Sequence, residues 1–163
     1  MSEQEAARKA EVTTPSEREI HVERVFEAPR DRVFAAYTDP ALIPRWWGPR
    51  GTSTSVEEMD ATTGGKWRFV VRNSDGSETG FRGIFREVAA PERIVQTFEW
   101  EGMPGHVSVE TATFEDLGDR TKVTTVSIFH TTEERDGMLG SGMETGMNET
   151  YARLDELLAK RAG

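Results

Sequence analysis

The chain contains no cysteine, which excludes disulfide bonds, thiolate metal sites and a cysteine nucleophile. It also has no apolar stretch long enough to span a membrane, and residues 1–17 lack the apolar segment expected of a secretory signal. Lys and Arg number 20 against 29 Asp and Glu, so the formal net charge is -9. Because this excess repels phosphate groups and anionic lipid, we expect neither nucleic acid nor membrane as a partner. The absence of cysteine is compatible with the reducing cytoplasm, which is the expected compartment.

Motifs for cofactor binding are missing as well. The sequence has no Gly-x-Ser-x-Gly, no phosphate-binding glycine loop and no dinucleotide fingerprint, and Gly64-Gly65 precedes a predicted strand rather than a helix. The three histidines, His21, His106 and His130, fall on three different predicted strands without metal-ligand spacing. We therefore expect no cofactor and no metal ion.

The length of 163 residues is typical of one globular domain. Residues 1–17 are rich in Glu, Arg, Lys and Ala, and we expect them to form a flexible tail. The single folded domain is then predicted over residues 18–161.

Adjacent tryptophans in the segment Arg45-Trp46-Trp47-Gly48-Pro49 are the most informative local feature. They lie between Pro44 and Pro49, where a regular helix cannot continue, and two such large apolar side chains are costly to expose. The pair therefore indicates the wall or mouth of a buried space. An ordinary contribution to a solid core is the alternative interpretation.

Periodicity divides the remainder into strands and helices. Residues 19–27 read as a strand, a short helix follows Pro29 and ends near Thr38, and a second short helix carries Leu42 and Ile43. Period-two patterning separated by turn residues then predicts six antiparallel strands, which with the first give a sheet of seven. These six cover residues 52–60, 66–72, 78–89, 93–101, 106–115 and 120–130.

One long C-terminal helix is predicted over residues 133–160. Apolar residues recur there at steps of three or four, but glycines interrupt its first half. Four glycines so close together predict either a frayed start or a face that closely approaches another group, and we expect close approach combined with mobility. The glycines are Gly137, Gly140, Gly142 and Gly146.

A strongly curved sheet crossed by a single helix is expected to leave a cavity. Strand parity places one set of apolar side chains toward that space, although the same parity also describes a solid core. Gly83, between two phenylalanines, predicts a bend or a close contact. The inward set comprises Trp67, Phe69 and Val71, then Phe81 and Phe85, then Ile94, Phe98 and Trp100.

Methionines lie around the start of the long helix and a neighbouring loop. Met103, Met138, Met143 and Met147 supply flexible thioethers that can refit around a ligand, but this helical spacing is also typical of core. His106 and Glu110 share a strand face with each other and would lie near one end of the cavity.

This order of elements resembles the α+β helix-grip fold of the START-like (SRPBCC) superfamily, the birch-pollen-allergen type. The resemblance runs from about Glu19 to Leu158 and is closest to the branch homologous to the C-terminal domain of the activator of the heat-shock protein 90 ATPase. It rests on Val25-Phe26-Glu27-Ala28-Pro29, Trp46-Trp47-Gly48-Pro49, Gly64-Gly65-Lys66-Trp67-Arg68-Phe69 and the phrase from Val88 to Val95 with Pro91-Glu92-Arg93-Ile94.

The resemblance implies a hydrophobic cavity for a small apolar or aromatic molecule, closed by the long helix. Relatives of this kind include polyketide cyclases, lipid carriers, antibiotic-resistance binding proteins and a stress-response co-chaperone, so the site must decide the function. The leading hypothesis is a binding protein for a small hydrophobic molecule.

Two alternatives stay open: a polyketide cyclase-like enzyme with His106 or Glu110 as acid or base, and a co-chaperone-like module that binds a partner protein. No catalytic residue is assigned, and a homodimer is left open. The predicted ligand-binding residues are Trp46, Trp47, Trp67, Phe69, Phe81, Phe85, Phe98, Trp100, Met103, His106, Met143, Met147 and Tyr151.

Overall fold

A computed structural model describes residues 10–160 of the chain. The strands are β1 Glu11–Thr13, β2 Glu19–Phe26, β3 Ser53–Met59, β4 Lys66–Arg72, β5 Glu78–Ala89, β6 Arg93–Trp100, β7 Val107–Asp116 and β8 Thr121–Ile128. The helices are α1 Arg30–Thr38, a 3-10 turn Ile43–Arg45, α2 Thr132–Leu139 and α3 Met143–Lys160. One antiparallel sheet contains the strands in the order β1-β2-β8-β7-β6-β5-β4-β3. This architecture confirms the predicted helix-grip class.

The sheet has eight strands rather than the predicted seven. The additional strand, β1, lies in the segment that the sequence assigned to the flexible tail, and its Val12 stands opposite Val22 of β2. Val12 packs against the core. A strand of three residues is too short to show a period-two pattern, which explains why the sequence did not predict it. The rest of the predicted tail, residues 1–9, lies outside the described residues.

At the other side of the sheet, β3 pairs with β4 alone. Its pairing register shifts between Val56 and Glu58, which is a β-bulge, and both Glu57 and Glu58 are exposed there. Bulges and exposed charges are typical of edge strands, because they discourage pairing with a further strand.

The filled part of the core lies under the C-terminal half of α3. Tyr151, Leu154 and Leu158 are buried there, and the Tyr151 ring meets the Phe26 ring edge-on with centroids 5.3 Å apart. Helix α1 adds Phe34, whose ring packs edge-on against Phe114 of β7 at 5.1 Å. The hydrophobic core is therefore concentrated at one end of the helix.

A buried ion pair fixes α3 to the sheet. Arg24 is only 4% exposed on the inner face of β2, and its guanidinium donates two hydrogen bonds to the Asp155 carboxylate, at 2.8 and 2.6 Å. The same guanidinium lies over the Phe26 ring, 4.7 Å from its centroid. Bidentate geometry of this kind is among the strongest hydrogen bonding available to a carboxylate. It sets the position of α3 along the sheet.

The predicted single C-terminal helix is divided into α2 and α3. Thr131 caps the start of α2 by accepting a hydrogen bond from the Glu134 amide. Helix α2 ends at Leu139, and Gly142, in the connection to α3, has a φ of +82°. That backbone conformation is accessible mainly to glycine, which explains the break.

The expected close approach of the helix glycines is wrong. A Cβ atom added at Gly137, Gly142 or Gly146 would meet no atom within 4 Å. Gly83, by contrast, confirms the sequence interpretation of a close contact. A Cβ there would lie 2.0 Å from the Thr97 carbonyl oxygen and 2.6 Å from Trp67 Nε1.

We predict that Gly83→Ala destabilises the fold by about 2 kcal/mol or more, because its methyl group would collide with backbone that cannot move freely. Gly137→Ala is the matched control, because its methyl group would meet open space on a helix. This variant should raise the free energy of unfolding by about 0.5 to 1 kcal/mol. Urea denaturation of both variants measures the two free energies of unfolding. Equal stability of Gly83→Ala and the wild type would contradict the close contact.

Candidate functional site

A cavity of about 520 Å³ lies between the concave face of the sheet and the first half of α3. The side chains of α3 that fill the core begin at Tyr151, and the turns before it carry Met143, Gly146 and Met147, which leave the space open. The cavity is thus the continuation of the core toward the broken end of the C-terminal helices.

One side of the cavity, which we call the aromatic wall, consists of Trp46, Trp47, Phe69, Phe81, Phe85 and Phe98. Its rings support one another through edge-on and tilted contacts. Trp47 lies 5.1 Å from Phe69 and 5.4 Å from Phe81, while Phe81 lies 5.3 Å from Phe98. Such pairs prefer this geometry, so the wall is stable without a ligand.

The two adjacent tryptophans have different roles: Trp46 contributes to both the core and the cavity, and Trp47 belongs to the cavity wall. Trp46 is 3% exposed, and its indole N-H donates to the Ala36 carbonyl oxygen at 2.9 Å, so it serves the core as well as the cavity. Trp47 remains partly buried and faces Phe69 and Phe81. Arg153 of α3 donates to the Gly48 carbonyl oxygen at 2.9 Å, which ties this segment to the helix.

The lid, which we define as Met138 of α2 together with Met143, Gly146, Met147 and Thr150 of α3, covers the cavity. Unbranched thioethers adapt to different shapes because they have three rotatable bonds and low torsional barriers. The lid therefore combines deformable side chains with the glycine break between the two helices.

The structure brings together nine of the predicted ligand-binding residues around the cavity: Trp46, Trp47, Phe69, Phe81, Phe85, Phe98, Met143, Met147 and Tyr151. Four others lie elsewhere. Trp67 is buried behind the aromatic wall, with its ring 4.8 Å from that of Phe69. Trp100 and Met103 are 43% and 47% exposed at the far end of the β6-β7 hairpin. His106 is also exposed, and its Nδ1 makes a hydrogen bond with Glu134 of α2.

These four lie outside the cavity lining. Strand parity gives the face of a sheet but not the extent of the cavity along it. Trp100 is the last residue of β6, and the loop that follows returns over it, since a Cβ at Gly102 would lie 2.4 Å from the Trp100 ring. The parity argument holds for Phe98, two residues earlier, which lines the cavity.

Beside the aromatic wall, the same face of the sheet lines the cavity with polar side chains, none of which belongs to the predicted ligand-binding set. We call this part of the lining the polar wall: Gln96, Ser108, Glu110, Thr125 and Ser127. Gln96, Glu110 and Ser127 are direct register partners across β6, β7 and β8. The parity of β8, which alternates Thr121, Val123, Thr125 and Ser127 on one face, was the available signal, but polar residues on a strand are normally read as facing water.

Glu110 is the single charged side chain among the described residues that line the cavity. Its accessible surface faces the cavity, and burial raises the pKa of its carboxyl group to about 7, with no neighbouring charge or hydrogen bond to offset the effect. At neutral pH it is therefore divided between the acid and the carboxylate, so it can give or take a proton.

Two tyrosines lie close to this carboxyl group. Burial raises the pKa of both Tyr37 and Tyr151, and the Glu110 charge adds a smaller contribution to each. The hydroxyl groups of the two tyrosines lie near each other, but that of Tyr37 is buried and makes no hydrogen bond of good geometry in the described part of the chain. An unpaired buried hydroxyl is costly, so it is available for a bound molecule.

Within residues 10–160, no group of three or more His, Asp or Glu side chains is arranged to hold a metal ion. Across the same residues, no helix combines the length and the apolar character needed to cross a membrane.

A protein-family model described as "Activator of Hsp90 ATPase homolog 1-like protein" matches residues 27–159. The chain belongs to this family. No curated protein sequence matches the chain. The family match covers every element that lines the cavity except β2.

Solved structures repeat the family fold. A protein from Rhodobacter sphaeroides is 26% identical with a TM-score of 0.88, over 93% of this chain and 99% of that one. A protein from Arthrobacter aurescens is 29% identical with a TM-score of 0.84, over 92% and 91% of the two chains. An HSP90 activator from Plasmodium falciparum is 21% identical with a TM-score of 0.54, over 75% and 87%, and this likeness shows the fold alone.

We predict that Glu110→Gln raises the free energy of unfolding at pH 8 by between about 1 and 3 kcal/mol, because each unit of pKa shift corresponds to about 1.4 kcal/mol. The pKa of this carboxyl group is 4.5 in the unfolded chain and about 7 in the folded one. The folded state is therefore favoured by this group below pH 4.5, and that contribution to stability is lost as the pH rises to about 7. Urea denaturation at pH 5 and pH 8 checks this, with a smaller difference expected at pH 5.

Glu115→Gln, an exposed position on the same strand, is the matched control and should change stability little at either pH. A Glu110→Gln variant that is equally or less stable than the wild type at pH 8 would contradict the conclusion that the Glu110 carboxylate is buried and destabilising when ionised.

Proposed function

We propose that the protein binds a small, mainly apolar and aromatic molecule in the cavity between the sheet and the lid. The observation that carries this proposal is the cavity of about 520 Å³ itself, with its continuous aromatic wall. Ligand sites typically measure roughly 300 to 1,000 Å³ and combine an apolar lining with a few polar groups. A solid core, the alternative that the sequence left open, would need these side chains to interlock.

The distribution of stability in the fold supports a binding role. Arg24 and Asp155 hold the C-terminal half of α3, whereas the lid rests on methionines and is preceded by Gly142 in the left-handed conformation. A ligand could therefore enter by displacement of the lid while the filled core remains intact. Entry paths of this kind are drawn from the less stable parts of a protein.

Trp47→Ala is predicted to weaken binding of a hydrophobic fluorescent probe by about tenfold or more, because the variant removes the ring that contacts both Phe69 and Phe81. Trp100→Ala is the matched control: it removes the same type of side chain from outside the cavity and should change the affinity less than about twofold. Fluorescence titration measures both.

Met143→Ala in the lid gives a second variant that does not disturb the aromatic wall. It should also weaken binding of the fluorescent probe. Saturable binding that is equally strong in the wild type and in all three variants would place the probe outside the cavity and contradict the proposal. Absence of binding of any apolar probe to the wild type would contradict it as well.

A second candidate is a cyclase-like enzyme that uses the same cavity. It requires an acid or base that can reach a bound molecule, and Glu110 meets that requirement in the described residues while His106 lies outside the cavity. An acid or base with a pKa near the working pH is suited to proton transfer.

If this second function holds, Glu110→Gln should slow cyclisation of a synthetic poly-β-ketone by about a hundredfold or more, and the limb of the pH-rate profile near pH 7 should disappear. His106→Ala should leave both unchanged. Turnover measured between pH 5 and pH 9 checks this, and an unaltered profile in Glu110→Gln would contradict the enzyme.

A further inference from the structure

Two adjoining parts of the cavity lining differ in chemistry. The aromatic wall carries no charge, and the polar wall carries the carboxyl group of Glu110 between the uncharged side chains of Gln96 and Ser127. A molecule that fills this space would place an apolar body against one wall and a polar group against the other. The arrangement is therefore suited to an amphipathic ligand of small size.

The carboxyl group of Glu110 has no counter-charge within the cavity. The groups that face it from the packed helices are Tyr37 of α1 and Tyr151 of α3, both uncharged. Arg24 is the basic group on the inner face of β2, but its guanidinium donates to Asp155 and to the Val25 carbonyl oxygen. Its charge is therefore paired with Asp155 rather than with Glu110, although its Nε–H makes no hydrogen bond in the described residues.

An ionised carboxylate buried without a partner is strongly unfavourable, and a cation supplied by a ligand would remove that penalty. Hydrogen bonds to charged groups contribute more than those between neutral groups. A protonated amine would also find the unpaired Tyr37 hydroxyl oxygen as a second acceptor, and the rings of Tyr37 and Tyr151 for cation-π contact. An anionic ligand would meet repulsion instead.

We propose that the cavity selects small arylalkylamines, with the aromatic body against the aromatic wall and the protonated amino group on the Glu110 carboxylate. This inference rests on the proposed binding function and names the ligand class for that same site. The net charge of -9 favours the approach of cations and disfavours that of carboxylate ligands.

The test uses three probes that share one ring system: 1-naphthylmethylamine, 1-naphthylmethanol and 1-naphthoate. At pH 8, titration of the full chain should give an affinity for the amine about tenfold or more above that for the alcohol, and the carboxylate should bind weakest. Between pH 8 and pH 6 the amine affinity should fall by about tenfold, since Glu110 gains its proton near pH 7 while the amine stays charged. The alcohol affinity should not change.

In Glu110→Gln the preference for the amine should vanish, while Glu115→Gln, the exposed control on the same strand, should retain it. The pH dependence of the wild type gives the same information without any variant. Equal binding of amine and alcohol to the wild type would overturn the amine inference but leave the binding function standing. If none of the three probes binds, both proposals fail.

Discussion

The bidentate pair between Arg24 and Asp155 is the interaction on which the arrangement of this molecule depends. It holds the C-terminal half of α3 against the inner face of β2, next to Tyr151 and the buried leucines that follow. Two charges placed in such a position are stabilising only when the geometry is good, because each has lost most of its hydration. With the helix fixed there, its first turns extend over a region of the sheet that they do not fill. The cavity follows from the position of this anchor.

Much of the fold could be predicted from sequence, because period-two and helical patterns report which side of an element is buried. The strands from β2 to β8 and the inward position of Phe69, Phe81 and Phe98 follow from that periodicity alone. Strand β1 could not be predicted, because three residues carry too little pattern and its burial depends on pairing with β2. The division of the C-terminal helix depended on which of four glycines adopts a positive φ, and composition does not distinguish Gly142 from the others.

The candidate site was predicted less completely than the fold, for a physical reason. Hydrophobic residues reveal their environment through patterning, so the aromatic wall was largely visible. Polar residues on a strand look the same whether they face water or an enclosed cavity, so parity gave the face of Gln96, Thr125 and Ser127 but did not assign them to the cavity. Strand parity also cannot show where a cavity ends. For this reason the sequence analysis counted Trp100 and His106 among the cavity residues. Only the assembled sheet sets the limits of the polar wall.

The two edges of the sheet bear on how copies of this chain could associate. On one side β1 adds only three residues, and on the other the bulge in β3 leaves Glu57 and Glu58 facing outward. A second molecule docking antiparallel along β3 would bring two rows of carboxylates together and would have to match an irregular hydrogen-bonding ladder. Continuous intermolecular sheets are therefore disfavoured, and any self-association must use side-chain surfaces rather than backbone pairing.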